Sequence, residues 1–315
     1  MSASDPTFRR LEEGVFVYSR PLGHFGPSVT SVLFIAPGSV LVADTLCNPE
    51  DMSLFSKMAG DRKVLVFYTH GDWDHCLGTT AFETPVVVAH EFTRGRLLAA
   101  THPELDNVRR KAPQLVSGGQ YVLPGLTFTN SMGVDLDCIP GCDSRRVNGG
   151  ARRPPTKPVQ HVLTGEPSKR RIEIHHLPGH TADSCVCYDV ATGVLAAGDA
   201  VEDPFPSIGD PRSLNAWISG LREWGARART VIPGHGAVSG PELLKRNAKY
   251  LRTVMGLIKD AASKGLAPER LGSEYSLKKS FPEVMNSLSS MRPRDREFYE
   301  EVHRENLFRV WTALS

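Results

Sequence analysis

Four side chains able to bind a metal ion fall within the six residues His70-Gly71-Asp72-Trp73-Asp74-His75. Imidazole nitrogen and carboxylate oxygen together suit zinc, iron or manganese. The segment follows Lys63–Tyr68 (KVLVFY), a compact apolar run that reads as a buried strand and would fix where the loop begins. Taken alone, the segment could also be a polar surface loop that carries histidines by chance. Three more pieces of chain weaken that alternative. They are Leu177-Pro178-Gly179-His180-Thr181, Ala197-Gly198-Asp199 and Ile232-Pro233-Gly234-His235-Gly236. Each puts one His or Asp at the exit of a predicted strand, beside glycines that permit tight turns. Ligands at several strand ends can converge on one edge of a sheet.

The elements needed to position these residues are legible as an α/β pattern. Gly14–Tyr18, Val29–Ile35 and Ser39–Asp44 are β-rich, the last two separated by the turn Pro37-Gly38. A helix is predicted over Pro49–Ala59, a short one near Leu77–Phe82, and a strand over Pro85–Ala89. Glu91–Val116 reads as largely helical and Gln120–Thr129 as strand. Periodicity fails between about residues 131 and 170, which reads as a long loop insertion. Strands return at Arg171–Leu177, Ser184–Asp189, Val194–Ala197 and Thr230–Ile232, with a helix over Ser213–Arg222 capped by Ser213. Residues 241–315 read as a helical extension, with Glu242–Ser263, Pro282–Ser289 and Arg294–Leu314 as its helices. The whole chain, 1–315, is expected to form one domain, and no internal repeat interrupts it.

The ligand set resembles the metallo-β-lactamase superfamily, whose motif is HxHxDH followed by a distant His, Asp and His. The resemblance runs from about Glu13 to Gly236, and Val42-Ala43-Asp44-Thr45 matches the family's early strand ending in Asp-Thr. It implies a four-layer αββα sandwich with a two-metal site at the edge between two sheets. His70, Asp72 and His180 would hold the first metal, and Asp74, His75 and His235 the second. Asp199 would bridge, and Asp44 would support the loop from behind. Zinc is the expected metal, with iron or manganese as alternatives.

One position departs from the family. Asp72 stands where the second histidine is usual, so a harder, charged ligand replaces imidazole. The flavo-diiron branch also has a carboxylate there, a Glu, and binds iron. The implied chemistry is metal-assisted hydrolysis of an ester, thioester or lactone, with Asp74 ligating, orienting the nucleophile and taking its proton. A phosphodiesterase or nuclease, or a diiron oxidoreductase, are the alternatives. Hydroxyacylglutathione hydrolases and acyl-homoserine lactonases share the aspartate at the Asp199 position. The lactonase pattern has a Tyr three residues later, where this chain has Glu202.

Bulk properties narrow the partners. A net charge of +2 and 23% charged residues favour no particular one, although residues 143–171 hold eight Lys/Arg against two Asp/Glu. This basic stretch, with Arg145, Arg146, Arg152 and Arg153, reads as a solvated loop, so a small-molecule substrate is expected and nucleic acid is not. The first ten residues contain no apolar run, and no stretch is long and apolar enough to cross a membrane. Six cysteines scattered over 315 residues do not resemble a disulfide framework, so a cytoplasmic protein with reduced thiols is expected, Cys138 and Cys142 included. His24, in a glycine-rich early loop, is a candidate substrate contact. The C-terminal helices would either cover the site or form an oligomer contact.

Overall fold

The computed structural model describes residues 6–99, 101–136, 170–289 and 291–314. The first half contributes strands β1 (Thr7–Glu12), β2 (Val15–Arg20), β3 (Val29–Ile35), β4 (Ser39–Ala43), β5 (Lys63–Phe67), β6 (Val86–His90) and β7 (Leu126–Phe128). The second contributes β8 (Ser131–Asp135), β9 (Arg171–His176), β10 (Cys185–Asp189), β11 (Val194–Glu202) and β12 (Thr230–His235). The strands run β7-β6-β5-β4-β3-β12-β11-β10-β9-β8, with β2 on the other side of β3 and β1 beyond it. Strands β4 to β7 pair in parallel, as do β11 and β12. In the described strand ladder the two halves are joined by the pair His235 of β12 and Val29 of β3.

Alternate residues of the same strand feed different cores, which is why these strands are apolar throughout rather than on one face. Val40 and Val42 of β4 join an outer core, while Leu41 and Ala43 point inward. In the second half, Leu195 and Ala197 of β11 face outward, and Val194 and Ala196 face inward. The inner core joins Phe34, Leu41 and Phe67 of the first half to Ile172, Ile174 and Ile232 of the second. The ladder is thus folded into two facing sheets.

Helices cover both outer faces. In the first half these are α1 (Ser53–Ala59), α2 (Trp73–Cys76), α3 (Glu91–Leu97) and α4 (Pro103–Lys111). In the second they are α5 (Leu214–Arg227), α6 (Glu242–Ser263), α7 (Leu271–Glu274), α8 (Leu277–Ser280), α9 (Pro282–Leu288) and α10 (Pro293–Leu314). The result is the expected αββα order. Trp217 of α5 is fully buried in the second outer core and donates its indole N–H to the Ala200 carbonyl at 2.9 Å. Burial of such a side chain contributes on the order of 2–3 kcal/mol.

Several boundaries differ from expectation. Ser131–Asp135 is strand β8, paired with β9, so the irregular stretch does not begin at residue 131. The pattern is easily missed because Ser131 and Gly133 are exposed and only Val134 is buried. The polar N-terminus forms β1 against β2. The region 91–116 is interrupted between α3 and α4, where Pro103 opens the second helix. Ser213 makes no side-chain cap on α5, and its hydroxyl bonds Asp210 instead. Cys47, Cys76, Cys185 and Cys187 are buried free thiols. Cys138, Cys142 and the arginines of the basic stretch at 145, 146, 152 and 153 lie outside the described residues. No described helix is long and apolar enough to cross a membrane.

Candidate metal centre

The seven residues come from the ends of strands, the loops that follow them, the short helix α2 and the later part of β11. His70 follows β5, Asp72 immediately precedes α2, and Asp74 and His75 sit within it. His180 lies beyond β9, Asp199 is within β11, and His235 ends β12. Glycines permit the approach: a Cβ on Gly234 would strike the Asp199 carboxylate, and one on Gly198 would strike the Thr69 hydroxyl.

The structure brings all seven side chains together. Asp199 is the centre. Its Oδ1 lies 3.2 Å from His75 Nε2, and its Oδ2 lies 3.2 Å from His235 Nε2, 3.4 Å from His180 Nε2 and 3.7 Å from His70 Nε2. Asp74 Oδ2 is 3.5 Å from His235 Nε2. Asp72 Oδ2 is 3.2 Å from His180 Nε2 and 3.3 Å from His70 Nε2. Two groups have donor atoms within 4.8 Å of one another: His70, His180 and Asp199, and Asp74, His75 and His235. Asp72 borders the first.

These residues fit a metal. His70 Nε2, His75 Nε2 and Asp199 Oδ1 are buried polar atoms with no hydrogen-bond partner. Such orphans are rare, and each costs about 1–3 kcal/mol unless something else satisfies it. The field of the site also favours cations. Burial opposes protonation of His180 and His235, yet the carboxylates around them, Asp199 foremost, raise their pKa values to about 9 and about 10. Burial likewise opposes ionisation of Asp199, but the imidazoles of His235, His75, His180 and His70 hold it well below the usual carboxylate range.

The ring nitrogens facing away from the centre are mostly anchored. Asp44 accepts hydrogen bonds from the Thr69 N–H at 2.7 Å and the Thr69 hydroxyl at 2.8 Å, and its Oδ2 lies 2.7 Å from His75 Nδ1. It holds this position with φ of 63°, a left-handed conformation uncommon outside glycine. His235 Nδ1 lies 2.7 Å from the Ser28 carbonyl, and His180 Nδ1 lies 3.3 Å from that of Ser207. Partners of this kind fix tautomer and ring orientation.

The centre opens into a cleft of about 460 Å³. Phe25, Trp73, Val108, Phe298 and Val302 give it an apolar wall, with Phe25 set edge-on to Trp73 at 6.0 Å. The exposed Glu104, Glu301, Glu305 and Arg309 surround its mouth. The C-terminal helix α10 therefore borders the site, one of the two roles open to it. His24 does not line this cleft. It lines an adjoining cavity of about 530 Å³ with Leu22 and Lys111, and Phe25 borders both that cavity and the cleft.

Three residues near the centre were not among the site residues expected from the sequence, although Glu202 stood out as the departure from the lactonase pattern. Arg96 of α3 bonds Asp72 and Asp183. Asp183 is fully buried, and a signal for it existed in its position three residues after His180. Glu202 lies beneath His180, with Oε1 3.8 Å from Nδ1, and burial followed by the charge of Asp199 pushes its pKa up to about 7.

Comparison with known proteins agrees with this architecture. The family model for the metallo-beta-lactamase superfamily matches residues 25–235, and the chain belongs to that superfamily. Membership supports, in general terms, a metal-dependent hydrolase. Among curated proteins, the chain is 25% identical over 214 residues to acyl-coenzyme A thioesterase MBLAC2 of Gallus gallus, a match spanning 63% of this chain and 66% of that protein. Among solved structures, a metallo-beta-lactamase from Pontibacter korlensis superposes with a TM-score of 0.53 at 16% identity, covering 78% of this chain and 99% of that one. DIM-1 metallo-beta-lactamase exposed to ceftazidime gives 0.53 at 16% identity, covering 80% and 99%. At such identities these two structures bear on the fold alone.

Proposed function

We propose that this chain hydrolyses an ester, thioester or lactone carrying an apolar acyl group, with two divalent metal ions, zinc for preference. Under this reading His70, Asp72 and His180 would hold one ion and Asp74, His75 and His235 the other, with Asp199, which faces both groups, available to each. The ions, when bound, supply Lewis acidity and lower the pKa of water toward neutrality. The chain's residues do the rest. Phe25, Trp73 and Phe298 receive the apolar part of the substrate and exclude water from it. Asp74 orients the attacking water and accepts its proton. Asp44 and Thr69 keep the ligand loop in register.

The observation that carries this reading is the pairing of the buried His/Asp floor with an apolar wall. The thioesterase relative points the same way. Elemental analysis of the purified protein, followed by a screen of chromogenic esters, thioesters, lactones and phosphodiesters, tests the proposal. Two zinc ions with esterase or thioesterase turnover are expected. Preferred turnover of phosphodiesters, or two irons with oxidase activity, would refute it.

A further inference from the structure

Asp72 is shorter than histidine and more freely rotating, so something must aim it if it is to serve as a ligand. Arg96 is placed to do so. One guanidinium nitrogen bonds Asp72 Oδ1, leaving Oδ2 directed at the Nε2 atoms of His70 and His180. The other bonds Asp183 Oδ1 at 2.7 Å. Asp183 is itself fixed: its Oδ2 accepts from the Gly71 N–H at 2.9 Å and the Thr93 hydroxyl at 2.8 Å. The bond to Gly71 pins the backbone between His70 and Asp72. Two-point bonding by a planar guanidinium sets angle as well as distance, which an ammonium cannot do.

We infer that Arg96, anchored on Asp183, is a positioning residue that makes Asp72 a working ligand of the first metal in place of a histidine. This rests on the ligand set proposed above. The role is orientation rather than charge compensation, because one guanidinium serves two carboxylates and its single positive charge is spent between them. A histidine at position 72 would have no oxygen for Arg96 to hold, so the need for Arg96 belongs to this variant of the motif.

The test is metal affinity, measured by zinc titration against a chromogenic chelator on metal-stripped full-length protein. Arg96→Met should weaken one of two zinc sites by about tenfold to a hundredfold and leave the other within threefold. Arg96→Lys, which keeps the charge but not the fork, should also weaken that site. In an Asp72→His background, Arg96→Met should cost less than threefold, so the double-mutant cycle shows coupling. Thermal unfolding of the metal-free proteins identifies variants whose fold is damaged, and Arg96→Lys then carries the comparison. Unchanged zinc affinity in Arg96→Met and Arg96→Lys, or an equal loss with His at position 72, overturns the inference. Wild-type protein binding no zinc at all would instead overturn the proposed function.

Discussion

The floor and the mouth of the cleft are built from different materials. The floor residues sit at strand ends or beside them, buried or half-buried, with backbone and carboxylate partners behind them. The mouth is made by side chains of α4 and α10, and Glu104, Glu301, Glu305 and Arg309 are all exposed. The fold fixes the floor, because displacing one strand end would disturb two sheets. The mouth can change residue by residue without disturbing either core. Reaction type should therefore follow from the floor and substrate choice from the mouth.

Substitutions that break this contrast should differ greatly in size. Asp199→Ala removes the one group facing both clusters, so bound metal should fall from two ions to fewer than one, and kcat/KM should drop at least about a thousandfold. Elemental analysis and steady-state kinetics read both. Asp44→Ala leaves the ligands in place but frees His75 and Thr69. Zinc affinity should weaken by about tenfold to a hundredfold, measured by chelator competition. At the mouth, Glu301→Gln with Glu305→Gln should leave metal content intact and raise kcat/KM for anionic esters only a few-fold, the gain disappearing in high salt.

Away from the metal floor, a last prediction concerns stability rather than activity, through the anchoring of α10. His303 is buried, its Nδ1 2.9 Å from the Tyr250 hydroxyl and its Nε2 2.9 Å from the Tyr275 carbonyl, and burial lowers its pKa to about 4. The folded protein therefore holds this ring neutral, while the unfolded chain protonates it below about 6.5. Its contribution is complete above pH 6.5 and is lost as pH falls toward 4, up to about 3 kcal/mol. Urea unfolding midpoints between pH 7 and 4.5 should fall less steeply in His303→Asn than in wild type.

The same contrast explains what the sequence made legible. Strand-end residues carry a local mark, a His or Asp beside glycine after an apolar run, so the floor could be read piece by piece. Asp44 was visible through its Asp-Thr pair. The mouth has no such mark: Glu301 and Glu305 look like any solvated helical face, and only the return of α10 across the site gives them a role. Arg96 was hidden for a similar reason, since 24 residues separate it from Asp72 and their meeting depends on how α3 packs. His24 lines the adjoining cavity, while Phe25 beside it borders both that cavity and the cleft, and residue type gave no sign of the difference. Strand β8 was obscured because only one of its residues, Val134, is buried.

The central claim is that two ligand groups sharing Asp199 bind two cations. Crystals of the purified protein, with anomalous scattering recorded at the zinc edge, address it directly. Two peaks are expected, each about 2.0–2.2 Å from its imidazole and carboxylate ligands, with Asp199 bonded to both. No peak within bonding reach of His70, His180 and Asp199, or none near Asp74, His75 and His235, would contradict it.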